Sequence, residues 1–120
     1  MFDHVALNVR DLPASRAFYE QALTPLGYRL LRSSDTIAAF GTGDRPELVI
    51  RVREPANTAV HVAFNAQDRP TVDAFHAAGL AAGGTDNGAP GIRERYHPAY
   101  YAAFVIDPDG NNIEAVCHVG

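Results

Sequence analysis

The sequence predicts an α+β fold: two βαβββ modules that form a curved, cup-shaped mixed sheet with helices on its outer face. Three observations carry this expectation. Residues 4–27, HVALNVRDLPASRAFYEQALTPLG, and residues 61–84, HVAFNAQDRPTVDAFHAAGLAAGG, align without a gap at an offset of 57, with ten of 24 positions identical. Each copy opens on a strand with two unlike faces. Each then passes into a helix whose start is marked by an aspartate and a proline.

In the first copy Val5, Leu7 and Val9 alternate with His4, Ala6 and Asn8, and in the second Val62, Phe64 and Ala66 alternate with His61, Ala63 and Asn65. One face is apolar and the other small and polar. Asp11 and Asp68 offer N-cap carboxylates, and Pro13 and Pro70 suit a first helical turn. Phe18 with Ala14 and Ala22, and Phe75 with Val72 and Gly79, make stripes that pack on the apolar strand faces. Gly27 and Gly83-Gly84 end the helices. Three more strands follow in the first copy, at 28–32, 36–40 and 47–52. In the second copy 85–98 reads as irregular, and 100–106 and 112–118 form a hairpin around Pro108-Asp109-Gly110. Together they make a single domain of two modules, about 1–56 and 58–120. Helices cover one side of each sheet, so the concave side stays open.

Composition narrows the chemistry. The chain has 120 residues, 47% hydrophobic and 20% charged, with net charge −4, and no apolar run approaches the roughly 20 residues of a membrane span. An acidic balance argues against nucleic acid as a partner. All ten basic residues are arginine, so Schiff-base chemistry and a lysine-dependent phosphate loop are excluded. Gly41-Thr42-Gly43 lacks a third glycine and a following helix, and no serine sits in a nucleophile elbow. The single Cys117 cannot pair within the chain. The opening Met1-Phe2-Asp3-His4 lacks the basic-then-apolar order of an export signal, so a cytoplasmic location is expected.

Parity places the reactive groups. His4 and His61 point to the open face of their strands, at equivalent positions of the repeat. With Asp107 and Asn111 flanking the hairpin turn, Phe104 falls opposite Glu114. Tyr100, Ala102, Phe104, Glu114, Val116 and His118 then share one face, and Ile113, Ala115 and Cys117 take the apolar one. If that apolar side meets the helices, His4, His61 and Glu114 supply two imidazoles and one carboxylate to the same concavity. That donor set suits Fe(II), Mn(II) or a related ion with open coordination positions.

The HVAxNVxDLxxSxxFY opening, its HVAFxA echo and the DPDGNxIEAV ending resemble the vicinal oxygen chelate superfamily, which includes glyoxalase I, extradiol dioxygenases and bleomycin and fosfomycin resistance proteins. The resemblance covers nearly the whole chain. It implies paired βαβββ modules, a divalent metal (Fe, Mn, Ni or Zn) at His4, His61 and Glu114, a small oxygen-chelating substrate, and a homodimer. Glyoxalase I adds a second glutamate, for which Glu47 is the nearest counterpart; its setting, between Pro46 and the later Arg51 and Arg53, equally fits a surface or ion-pair residue. Ring-cleaving relatives place a histidine and a tyrosine upstream of the metal glutamate. That implies His97 as proton carrier and Tyr100 as hydrogen-bond donor, although Tyr96-His97-Pro98 also fits a packed turn and the tyrosine spacing differs. His76 is expected to be exposed or packed on its helix. The alternative implied is a metal-free protein that sequesters a planar or cationic drug, against which the absence of Trp counts.

Overall fold

The computed structural model describes residues 1–119. Its first module runs β1 (Val5–Val9), α1 (Leu12–Leu23), a 3-10 turn (Thr24–Leu26), β2 (Arg29–Ser33), β3 (Ile37–Gly41) and β4 (Leu48–Val52). The second runs β5 (His61–Asn65), α2 (Arg69–Ala81), β6 (Thr85–Ile92), β7 (Tyr101–Ile106) and β8 (Asn112–Cys117). The eight strands divide into two four-stranded sheets of identical topology, β1-β4-β3-β2 and β5-β8-β7-β6. In each sheet the first strand pairs parallel with the fourth and the others are antiparallel. The strands β1 and β5 are therefore both edge strands.

The local signals act as expected. Asp11 accepts a hydrogen bond from the Ala14 N–H at 3.1 Å, and Asp68 accepts one from Thr71 N–H at 2.9 Å, so each carboxylate satisfies an amide that the helix cannot. The loop between β7 and β8 turns on Gly110 at φ 103°, with Asp107 N–H donating to the Asn111 carbonyl at 2.9 Å. Phe104 sits opposite Glu114, and Ala102 opposite Val116, in that hairpin.

Two expectations need correction. Residues 85–92 form a strand rather than irregular chain. Gly88, Pro90 and Gly91 conceal it, and the structure tolerates them because β6 is an edge strand with two register shifts, where a proline need not donate to a neighbour. On α1 the buried stripe is Leu12, Ser15, Phe18, Tyr19, Ala22 and Leu23, leaving Ala14 outside it.

Both helices and the inward residues of both sheets share one core, which includes Leu7, Phe18, Phe40, Ile50, Phe64, Phe75, Val105 and Ile113. The two modules are further joined by the turn of the second hairpin. Tyr19 on α1 donates to buried Asp107, while Asp109 accepts from Ser15 Oγ and from the Arg10 N–H, each at 3.4 Å. The seam is tight at Gly84. A methyl group there would meet the Val105 side chain, the Phe18 ring at 2.7 Å and the Gly79 carbonyl at 2.8 Å. Gly84→Ala is therefore expected to cost about 1–3 kcal/mol in urea unfolding, because the backbone carbonyl cannot give way; an unchanged midpoint would refute this account of the seam. No helix among the described residues is long and apolar enough to cross a membrane.

Candidate functional site

The open face of the second sheet gathers most of the reactive side chains. Glu114, in the middle of β8, is only 1% exposed, yet its neighbours on that face are Ala63 on β5 and Phe104 on β7. Ala63 carries only a methyl group, so the imidazole of His61, two residues earlier on the same strand, leans across it. His61 Nε2 lies 2.7 Å from Glu114 Oε1, and the Tyr100 hydroxyl donates to Oε2. A buried carboxylate is thereby satisfied on both oxygens. The Tyr100 hydroxyl titrates well above the ordinary phenol range, because burial and then the carboxylate beside it disfavour the phenolate. It remains a proton donor throughout the physiological range.

Next to this group is a second one. His97 Nδ1 accepts the Ala99 N–H at 3.1 Å, so Nε2 carries the ring proton and donates to His118 Nδ1 at 2.9 Å. Both rings stand edge-on to Tyr100, with centroids 5.4 and 5.3 Å away. Phe104 lies between the His61 ring, 6.2 Å from it, and the guanidinium of Arg93, 5.3 Å from it. Parity had already placed His118 on this face, but not its pairing with His97. That pairing arises because the turn at 93–100, closed by the Arg93 N–H to the Tyr100 carbonyl at 2.7 Å, folds His97 back toward the end of β8.

His4 lies apart, next to the other sheet. It is exposed at the start of β1, and its Nδ1 lies 2.7 Å from Asp3 Oδ1, a hydrogen bond that holds the Asp3 carboxyl below its usual range. His4 and His61 border one cavity of about 660 Å³, which is also lined by Val5, Tyr28, Glu47 and Phe64. Among the described residues no three His, Cys, Asp or Glu side chains are placed together to hold a metal ion. His61 and Glu114 thus come together as a pair, with His4 outside it.

Glu47 has a structural task. Its Oε1 accepts both the Thr42 N–H and the Thr42 hydroxyl at 2.7 Å, tying the loop between β3 and β4. The registers show that it does not repeat Glu114: Ala6 faces Val49 as Ala63 faces Glu114, so the first-module counterpart of Glu114 is Val49. His76 is paired with Asp86 at 2.9 Å, clipping α2 to β6.

The superfamily profile described as Glyoxalase/Bleomycin resistance protein/Dioxygenase matches residues 1–115. A glyoxalase/bleomycin resistance protein from Albidiferax ferrireducens T118 has 34% identity and a TM-score of 0.85, over 98% of both chains. A glyoxalase I mutant from Zea mays has 28% identity and a TM-score of 0.73 over 96% of this chain, but only 45% of that one. A lactoylglutathione lyase from Agrobacterium tumefaciens has 20% identity and a TM-score of 0.71, over 98% of this chain and 92% of that one, a likeness of fold. No curated protein matches the chain. On the profile match and the shared architecture, this chain belongs to the glyoxalase/bleomycin resistance protein/dioxygenase superfamily.

Proposed function

We propose that this protein is a metal-dependent lyase, isomerase or ring-cleaving enzyme acting on a small substrate that chelates through two oxygens. Its ion, Fe, Mn, Ni or Zn, is held by His4, His61 and Glu114. The observation that carries this reading is the buried Glu114 carboxylate facing the open trough with an imidazole 2.7 Å away. The donors of that pair fit two coordination positions. The third does not reach it within one chain, so we propose a homodimer in which His4 of one copy joins His61 and Glu114 of the other. Support comes from the position of both histidines at the start of edge strands and from the apolar lining of the cavity beside them.

The ion, when bound, would supply Lewis-acid stabilisation of an anion developing on the substrate oxygens. The chain's own groups do the rest. Tyr100 fixes one oxygen of Glu114 and so aims the other at the trough. His97, with its tautomer set by the Ala99 amide, presents Nε2–H as a proton donor, with His118 as its acceptor. His97 and Tyr100 are the proposed catalytic pair. A metal-free drug-binding protein is the second reading, favoured by the aromatic surface of Phe104, Tyr100 and Tyr96.

Metal analysis of tag-free protein separates the two, since the enzyme reading requires near-stoichiometric metal that is lost in His61→Ala. Mixing tests the dimer. His4→Ala and His61→Ala chains, each unable to load, should recover about one quarter of wild-type loading after random subunit exchange, because half the dimers then hold one intact site. No recovery in exchanged, folded dimers refutes closure across two chains.

A further inference from the structure

The two modules have diverged on their open faces, and the divergence is chemical. Superposing the strand registers matches Asn8 with Asn65, Val49 with Glu114, Ala39 with Phe104 and Arg51 with Val116. Where the second trough has an acid among aromatic rings, the first has a guanidinium above small side chains.

Arg51 is half-buried on β4, facing Ile37 on one side and Asn8 on the other. Its Nε donates to Asn8 Oδ1 at 3.2 Å, which fixes the plane of the fork without neutralising it. Asn8 is itself held, its N–H by Asn57 Oδ1 at 2.7 Å and its side-chain amide by the Pro55 carbonyl at 3.2 Å. Among the described residues Arg10, Arg16, Arg29 and Arg45 meet a carboxylate within 4.0 Å, and Arg51 does not. Its Nη groups take no protein acceptor there. A pre-oriented guanidinium with an unused pair of donors is built to take an oxyanion in bidentate fashion.

We propose that Arg51, braced by Asn8, is a subsite for an oxyanion group, carboxylate or phosphate, on the substrate. This rests on the reading of the troughs as a substrate site and names its substrate class: small anionic molecules. Arg32, on the same face opposite Ala39 and also without a carboxylate partner among the described residues, adds to the field.

The test is a titration of the arginine Nε–H resonances of the intact protein with glutarate, with glycerol phosphate and with neutral glutaramide, the Arg51 signal being assigned by its absence in Arg51→Lys. A saturable shift of Arg51 with either anion and none with glutaramide is expected, and the anion that acts names the source. Asn8→Ala should weaken the response about 2–10-fold. If the Arg51 signal does not saturate, or moves no more than that of exposed Arg10, the subsite does not exist. The titration needs neither ion nor turnover, so its failure is distinguishable from failure of the metal reading, which His61→Ala probes separately.

Discussion

Replacing Glu114 by glutamine is expected to reduce bound metal from near-stoichiometric to trace while leaving the fold intact. Glutamine keeps the shape and one acceptor oxygen for His61. The Tyr100 hydroxyl, which donates to the carboxylate in the native chain, can rotate and accept from the new amide nitrogen, so no buried polar atom is stranded. What is lost is the negative charge and the anionic ligand, and the affinity should fall by more than the roughly 10–100-fold of an outer-shell change. Tyr100→Phe provides the graded control. It leaves the ligand but removes the hydrogen bond that orients it, so affinity should drop by about 10–100-fold without vanishing. Calorimetric metal titration and elemental analysis read both variants. Unchanged loading of folded Glu114→Gln would remove the carboxylate from any metal role, and equal affinity in Tyr100→Phe would show that Tyr100 does not position it.

The second large effect is on stability. Asp107 is buried where the second hairpin meets α1, and its carboxylate takes four donors: the Tyr19 hydroxyl, Asn111 Nδ2 at 3.0 Å, and the N–H groups of Asp109 and Asn111, both at 2.9 Å. Asp107→Ala strands these donors out of reach of water. The expected cost is about 3–5 kcal/mol, a large share of a typical domain's stability, and a fall of about 10–20 °C in Tm. The same contact predicts a pH response. Burial, then the charge of Asp107 beside it, raises the Tyr19 hydroxyl well above its ordinary value. With the folded state binding this proton more tightly, the contribution is fully present below about pH 10 and is lost as pH rises past it, where the unfolded tyrosine ionises first. Urea melts between pH 8 and 11 should show this alkaline loss reduced in Tyr19→Phe. A loss of equal size in that variant would mean that other tyrosines carry it, among them Tyr100.

Much of the fold was legible because the repeat and the strand parity are local properties of the chain. The offset of 57 marked both modules, the two aspartate caps marked both helices, and Pro108-Asp109-Gly110 determined which residues of β7 and β8 share a face. The strand β6 was not legible, since its glycines and proline carry no alternation and only its edge position makes them tolerable. Glu47 shows the limit on the site. Its place near the start of β4 resembled a ligand position, whereas the register makes Val49 the counterpart of Glu114, and the Glu47 side chain binds the Thr42 loop.

By itself the sequence determined the parts: two modules, both helices, every strand but β6, and the open faces toward which His61, Glu114 and Tyr100 are directed. Only the tertiary structure decided how the parts meet. It placed His61 and Tyr100 on Glu114, paired His97 with His118, oriented Arg51 on Asn8, and left His4 with Asp3 just ahead of β1. The reason is physical. Periodicity reports the direction of a side chain relative to its own strand, whereas convergence depends on how two sheets are set around a shared core, which no run of neighbouring residues encodes.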